Sequence, residues 1–294
     1  MKFRGVFFIC VFLVFGLSYP SAWINGVESG TPEHHFFRAL EINKPGHVFF
    51  KFKNVTKTTT TLTGKPIEIL FPKGNEKNWY AKYCFFGFCF TEEANSNTKL
   101  KPGQREEMTG TFFPLPGSKI GEKAKMVLDV WPTNSPELKE RLWFYGVVVD
   151  PKTVLLKLNS TTCEINGKQQ TLDAKPFINP TTNRTLVPFR FLGETFGAKI
   201  QWIEKEKKVT YELGDEKLTF ILGTAEVKMQ LGPDYSKMLP LESPSKLTNN
   251  RLFVPVRIVS ELLGSMVTWE GSSQSIKIVF PHLPSENPVI LPPK

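Results

Sequence analysis

Residues 183–202 read Asn-Arg-Thr-Leu-Val-Pro-Phe-Arg-Phe-Leu-Gly-Glu-Thr-Phe-Gly-Ala-Lys-Ile-Gln-Trp, and the block returns at residues 250–269 as Asn-Arg-Leu-Phe-Val-Pro-Val-Arg-Ile-Val-Ser-Glu-Leu-Leu-Gly-Ser-Met-Val-Thr-Trp. Eight positions keep their identity without a gap: Asn183/Asn250, Arg184/Arg251, Val187/Val254, Pro188/Pro255, Arg190/Arg257, Glu194/Glu261, Gly197/Gly264 and Trp202/Trp269. Every pair is 67 residues apart. A repeat of this fidelity demands two structural units of one kind, each too small to bury its apolar side alone.

Each block spells strand, short helix, strand. Thr185-Leu-Val187 and Leu252-Phe-Val254 are strand-like, and Pro188 and Pro255 are expected at the first helical position, where no amide hydrogen is needed. The helix then places Phe191, Leu192, Thr195 and Phe196 on one face, and Ile258, Val259, Leu262 and Leu263 on the same face of the second copy. Gly197 and Gly264 end the helices in a left-handed conformation. Ile200 with Trp202, and Val267 with Trp269, alternate along the following strands and are expected in the core. Arg190/Glu194 and Arg257/Glu261 share a helix side at spacing i, i+4. Arg before Glu is the weaker order, so a structural role is expected ahead of ligand contact.

Upstream of each block lies a hairpin. In the first copy it is Val154 to Leu158 and Thr161 to Ile165, turned at Asn166-Gly167, where both residues tolerate positive φ, and returning along Lys168 to Leu172. Lys217 to Leu222 and Ala225 to Gln230 correspond in the second copy, with a longer connection from Leu231 to Leu247. Thr162-Cys-Glu-Ile165 resembles Thr224-Ala-Glu-Val227, which sets Cys163 against Ala225 and marks it as a small buried thiol.

The doubled Val-Pro-x-Arg-x-x-x-Glu-x-x-Gly, followed by a Trp-bearing strand and preceded by Glu164-Ile-Asn-Gly167, resembles the copper amine oxidase N-terminal domain, over roughly residues 154–280. That resemblance implies an antiparallel sheet wrapped around short helices. It also implies a stalk-like module of exported bacterial proteins that holds neither copper nor quinone cofactor. The oxidase itself is not implied: no Asn-Tyr pair is present to form the quinone, and residues 151–281 contain no histidine to hold copper.

Residues 23–150 read differently. His47 to Lys53, Pro66 to Phe71, Trp79 to Phe86, Met108 to Phe113, Ala124 to Trp131 and Leu142 to Val149 are strand candidates, separated by turns such as Lys73-Gly-Asn75 and Pro116-Gly117. Such spacing without helical periodicity predicts an antiparallel β-sandwich, loosely similar to immunoglobulin-like modules. The fold class is therefore β-rich, α+β. Four segments are expected: a signal peptide over 1–22, the sandwich over 23–150, the repeat domain over 151–280, and a Pro-rich tail over 281–294.

The signal assignment rests on Met1-Lys-Phe-Arg4, the apolar run from Val6 to Leu17 and the small residues after it. Cleavage after Ser18 fits best, with Ala22 the alternative. The protein is then exported, at the cell surface or beyond. The formal charge of +9 falls to +7 without Lys2 and Arg4 of the leader, and the remainder is diffuse: 17 basic and 14 acidic residues in 23–150, 18 and 14 in 151–294. Nucleic-acid binders concentrate such charge on one face, so no nucleic-acid partner is expected. In an oxidising compartment Cys84 and Cys89 can pair across a tight turn. His34, His35 and His47 could hold a metal, but adjacent histidines in a polar segment are expected to be solvated, so neither metal nor cofactor is expected.

No nucleophile elbow, phosphate loop or acid pair stands out. The expected function is a non-catalytic stalk or interaction module with cell-envelope proteins or wall polymers as partners. The alternative is a polysaccharide-binding protein, with Trp79, Trp131 and Trp143 as exposed contact candidates.

Overall fold

A computed structural model describes residues 22–24, 27–29, 37–54, 57–85, 88–90, 96–233, 235–249 and 251–282. The expected leader, except for Ala22, and the tail after His282 lie outside these residues.

The N-terminal part is a two-sheet sandwich. Its strands are β1 (Ala22–Ile24), β2 (Val27–Ser29), β3 (Phe37–Leu40), β4 (Gly46–Asn54), β5 (Thr60–Leu70), β6 (Trp79–Phe85), β7 (Phe88–Phe90), β8 (Ser96–Leu100), β9 (Arg105–Pro114), β10 (Lys123–Pro132) and β11 (Glu140–Val148). One sheet runs β1-β2-β4-β9-β6-β7 and the other β3-β11-β10-β5-β8. Between them lie Val48, Phe112 and Tyr83 from the first sheet and Leu62, Met126 and Phe144 from the second. At Gly110 a Cβ would stand 2.8 Å from Val48 Cγ2, on its ladder partner in β4, and 3.4 Å from Met126 Sδ of the facing sheet, so the core leaves no room for a side chain there. One expectation fails: β3 runs parallel to β11, so this sheet is mixed. The polar look of residues 23–45 hid that strand, whose four residues are too few to show a period.

The C-terminal part contains β12 (Lys152–Lys157), β13 (Thr162–Ile165), β14 (Lys168–Thr171), β15 (Phe177–Asn179), β16 (Arg184–Pro188), α1 (Phe189–Phe196), β17 (Lys199–Ile203), β18 (Lys208–Leu213), β19 (Glu216–Ile221), β20 (Glu226–Leu231), β21 (Tyr235–Pro240), β22 (Lys246–Thr248), β23 (Arg251–Pro255), α2 (Val256–Leu262), β24 (Met266–Glu270) and β25 (Ser275–Phe280). Three sheets result: β14-β13-β12-β25-β24, β15-β16-β23-β22 and β17-β18-β19-β20-β21. Each five-stranded sheet takes three strands from one copy and two from the other. The copies are therefore interlocked, and neither can close a sheet by itself.

A pseudo-two-fold axis relates them. Val187 and Val254, repeat equivalents, stand directly opposite one another where β16 pairs with β23. The hydrogen bonds follow the same symmetry: Leu158 N donates to Gln274 O at 3.0 Å, and Leu222 N to Lys207 O at 2.9 Å.

The two parts share a strand. Along β11, Leu142, Phe144 and Val148 enter the sandwich core. Tyr145 and Val147, with Val149 just beyond and Ala39 beside them, enter the core of the C-terminal part. Alternation along a strand thus serves two cores at once, which explains the unbroken apolar run from Leu142 to Val149.

Candidate functional site

Both helices of the repeat are bounded by the same backbone chemistry. Strands β16 and β23 continue through Pro188 and Pro255, whose ψ of 126° and 119° keep them extended, so the prolines cap the helices from outside instead of opening them. The expectation of a first helical residue is off by one, because the preceding strand holds each proline in its ladder. At the other end, Gly197 N donates to Glu194 O and Ala198 N to Gly193 O, a Schellman closure. Gly264 and Ser265 repeat it on Glu261 and Ser260. The expected stripes are buried, with Phe191 only half-buried. Phe189 joins them, stacked on Tyr211 at 4.1 Å, while the Tyr211 hydroxyl donates to the Phe189 carbonyl.

Ionic residues of the motif divide into two kinds. Arg190–Glu194 and Arg257–Glu261 are loose and exposed, at 3.9 and 4.0 Å. Arg184 and Arg251 instead reach across copies, to Glu242 at 2.7 Å and to Asp173 at 3.0 Å. Neither partner is visible in the repeated motif itself. The acids lie at equivalent places in five-residue connections, Asp173 between β14 and β15 and Glu242 between β21 and β22, but 69 residues apart, so the 67-residue spacing of the motif does not align them.

The tryptophans reverse the expectation. Trp202 and Trp269, expected in the core, are 41% and 40% exposed on edge strands β17 and β24. Ile200 is covered by α1, since a Cβ on Gly193 would meet Ile200 Cδ1 at 2.6 Å. Trp202 stands two residues further on, with its indole N–H on Glu204 Oε2 at 2.5 Å. Of the candidate contacts, Trp79 is buried, with its N–H on Glu122 Oε2 at 3.1 Å. Trp143 is half-buried against the C-terminal core. Trp131 is half-buried, with Lys139 Nζ 4.9 Å above its ring.

Cysteine positions also need correcting. The register sets Leu156 opposite Cys163 and Phe220 opposite Val227, so Cys163 corresponds to Val227 and not to Ala225. Both hairpins bend over four residues, and the Thr-x-Glu likeness is coincidental. Cys163 is buried, and burial pushes its thiol up. Cys84 and Cys89 face each other in the β6–β7 ladder. His34 and His35 lie outside the described residues, and His47 Nδ1 is bonded to Thr111 Oγ1 at 2.9 Å. Among the described residues no three His, Cys, Asp or Glu side chains gather closely enough to hold a metal.

Two polar features remain. Glu216, at the start of β19, is 1% exposed with neither carboxyl oxygen bonded, and burial pushes its carboxyl well above the ordinary range. A cleft of about 510 Å³ opens beside the Asp173–Arg251 pair. The interlocked pseudo-repeats are the arrangement that the doubled motif required, and the family comparison falls on the same segment. Residues 149–278 match the copper amine oxidase N-terminal domain family. The copper amine oxidase N-terminal match leaves the sandwich outside it.

No curated protein matches the chain. Among the solved structures that are similar in part, three illustrate the likeness. The ASH / PapD-like domain of human CEP192 (PapD-like domain 7) is 14% identical, with a TM-score of 0.25, over 49% of this chain and 96% of that one. The N-terminal domain of PorA is 14% identical, with a TM-score of 0.26, over 44% and 83%. A family 123 glycoside hydrolase from Clostridium perfringens is 6% identical, with a TM-score of 0.30, over 42% of this chain and 27% of its own.

Proposed function

We propose that the chain is an exported, non-catalytic module that holds two β domains in fixed relation and works through its surfaces, as a stalk or interaction protein of the cell envelope. The observation that carries this reading is β11, whose opposite faces belong to the cores of both domains. A hinge between them would have to expose Tyr145 and Val147. The family match supports the absence of chemistry in residues 149–278, since that domain is peripheral in the oxidases. No helix among the described residues is long and apolar enough to cross a membrane. Envelope proteins or wall polymers are the partners this reading assigns, and export would let Cys84 and Cys89 close the disulfide that their register permits.

Two measurements test it. Secreted from a host with its own leader, the protein should begin at Tyr19 or Trp23 and yield a linked Cys84–Cys89 peptide; retention inside the cell with an intact leader removes the export claim. Spin labels at Ile120 and Ser272, one in each domain and both exposed, should give one narrow distance distribution. A broad or doubled distribution would sink the rigid-module reading.

A further inference from the structure

The place of Glu216 in the fold ties it to the seam between the two domains. It opens β19 directly after the turn at Gly214-Asp215. Leu213 of β18 stands opposite it on one side and Leu231 of β20 on the other. Opposed residues of an antiparallel ladder share a face, and both leucines are buried in the core that also takes Tyr145 and Val147 of β11. Each leucine is followed by a glycine packed on β11. A Cβ on Gly214 would stand 2.8 Å from Val147 Cβ, and one on Gly232 would stand 2.7 Å from the Tyr145 hydroxyl. Gly232 N donates to Asp215 O at 2.8 Å, which ties the two tips together. Glu216 therefore sits at the end of the sheet that docks on the sandwich, between the strands whose tips make the contact.

Nothing compensates a charge there. Glu216 is 1% exposed, and neither carboxyl oxygen has a hydrogen-bond partner. The ionisable groups around it are engaged with others. On the sandwich, Lys123 pairs with Asp215 at 2.8 Å, Lys125 lies 5.5 Å from the centroid of the Tyr145 ring, and Arg38 donates to the carbonyls of His47 and His282. In the C-terminal part, the Tyr211 hydroxyl donates to the Phe189 carbonyl. On β21, Tyr235 stands opposite Leu231, and Lys237 stands opposite Met229 in the next row of the ladder. Burial is the cause that pushes the Glu216 carboxyl well above its ordinary range.

An uncompensated carboxylate is not tolerated in a core. It reaches water at the least structural cost by lifting the two tips off β11, which keeps both sheets whole. What holds the tips down is apolar packing and the Lys123–Asp215 pair, whose side chains are half-exposed and contribute little.

We infer that Glu216 is a pH-operated latch on the seam: neutral, it lets the β18–β19 and β20–β21 tips seat on β11, and ionised, it draws them off. The closed seam keeps the proton and the open seam releases it. The opening equilibrium therefore rises with pH above the ordinary carboxyl range, by at most roughly tenfold per pH unit, and levels off once the closed form ionises as well. The latch rests on the rigid-module reading and adds the condition under which that rigidity is given up.

Val147→Cys in the full mature chain places a thiol under the Gly214 tip. Its reaction with an aromatic disulfide reagent should be followed peptide by peptide from pH ~5 to pH ~9, each rate divided by that of the unfolded chain at the same pH. The corrected rate at residue 147 should rise by up to roughly tenfold per pH unit, and adding Glu216→Gln should make it flat. Cys163, buried in the same core, should stay unreacted throughout. A flat rate with Glu216 present overturns the latch. So does an equal rise with Glu216→Gln, or Cys163 reacting in step with residue 147, which would mean that the core unfolds. If Val147→Cys already reacts freely at pH ~5, spin labels at Ile120 and Ser272 decide instead. Their distance distribution should be narrow at pH ~5 and broad at pH ~9, and narrow at both with Glu216→Gln. A broad distribution at pH ~5 removes the rigid-module reading and the latch with it, whereas a narrow one at both values in the parent removes the latch alone.

Discussion

At the scale of single residues, backbone needs outlast side-chain needs. Gly197 and Gly264 both sit at positive φ, 73° and 86°, where an L side chain costs about 1–2 kcal/mol. Their surroundings differ. Around Gly197 nothing lies within 4 Å of an added Cβ, whereas at Gly264 it would stand 3.2 Å from Ala39 Cβ, at the seam with the sandwich. Gly197→Ala should therefore destabilise by about 1–2 kcal/mol in urea unfolding, and Gly264→Ala by roughly 1 kcal/mol more through overpacking. Equal losses would show that the seam yields freely. These glycines were legible because a helix stop leaves a fixed sequence trace. The tryptophans were not, since alternation gives the side of a strand and not how far the covering helix extends.

Glu216 belongs to the same scale. It shares its side of β19 with Leu218 and Phe220, inside the C-terminal core. Its carboxyl is pushed well above 4.5 by burial, so the folded chain keeps a proton that the unfolded chain releases. Below the ordinary carboxyl value both states are protonated and the group contributes no pH dependence. As pH rises past that value, stability falls until the folded group also ionises. Glu216→Gln should melt at the same temperature as the parent near pH ~4 and higher at pH ~7–8. A variant less stable than the parent at pH ~7–8 would mean that the carboxylate is stabilised by a charge partner.

At the scale of elements, the repeat is read correctly where it is rigid and misread where its length varies. From the Val-Pro motif onward the offset is constant. In the upstream hairpins Ile165 pairs with Lys168 across Asn166-Gly167, but Met229 pairs with Lys237, so the second hairpin is five residues longer. The β22–β23 turn is two residues shorter than its counterpart and returns the copies to register. Residue matching across two such changes cannot find the pairing, because the hydrogen-bond ladder keeps the symmetry while the sequence does not. The Phe189–Tyr211 contact is where an element-level cost can be measured. Tyr211→Phe keeps the ring stack and removes the hydroxyl that satisfies the Phe189 carbonyl. An unfolding loss of about 1–3 kcal/mol is expected, and no loss would mean that water reaches that carbonyl.

At the scale of the whole molecule, the decisive fact is that two cores meet on one strand. A Cβ on Gly214 would stand 2.8 Å from Val147 Cβ, and one on Gly232 would stand 2.7 Å from the Tyr145 hydroxyl. The tips of two hairpins therefore rest on β11 with no room for a side chain. Lys123 adds an ion pair to Asp215 at 2.8 Å, and Arg38 reaches the His282 carbonyl at 3.2 Å. Composition marks a boundary near Asp150, and the structure shows that this boundary joins the domains instead of freeing them. Unfolding should then be one calorimetric transition. Val147→Asp places a charge in the seam and leaves the sandwich side of β11 untouched, because residue 147 alternates away from Phe144 and Val148. An unpaired buried charge is not tolerated, so the contact must open while each domain keeps the rest of its core. Two separated transitions are the expected outcome, with the sandwich melting as in the parent. If Val147→Asp instead lowers a single transition, β11 is not a removable contact but part of one indivisible fold.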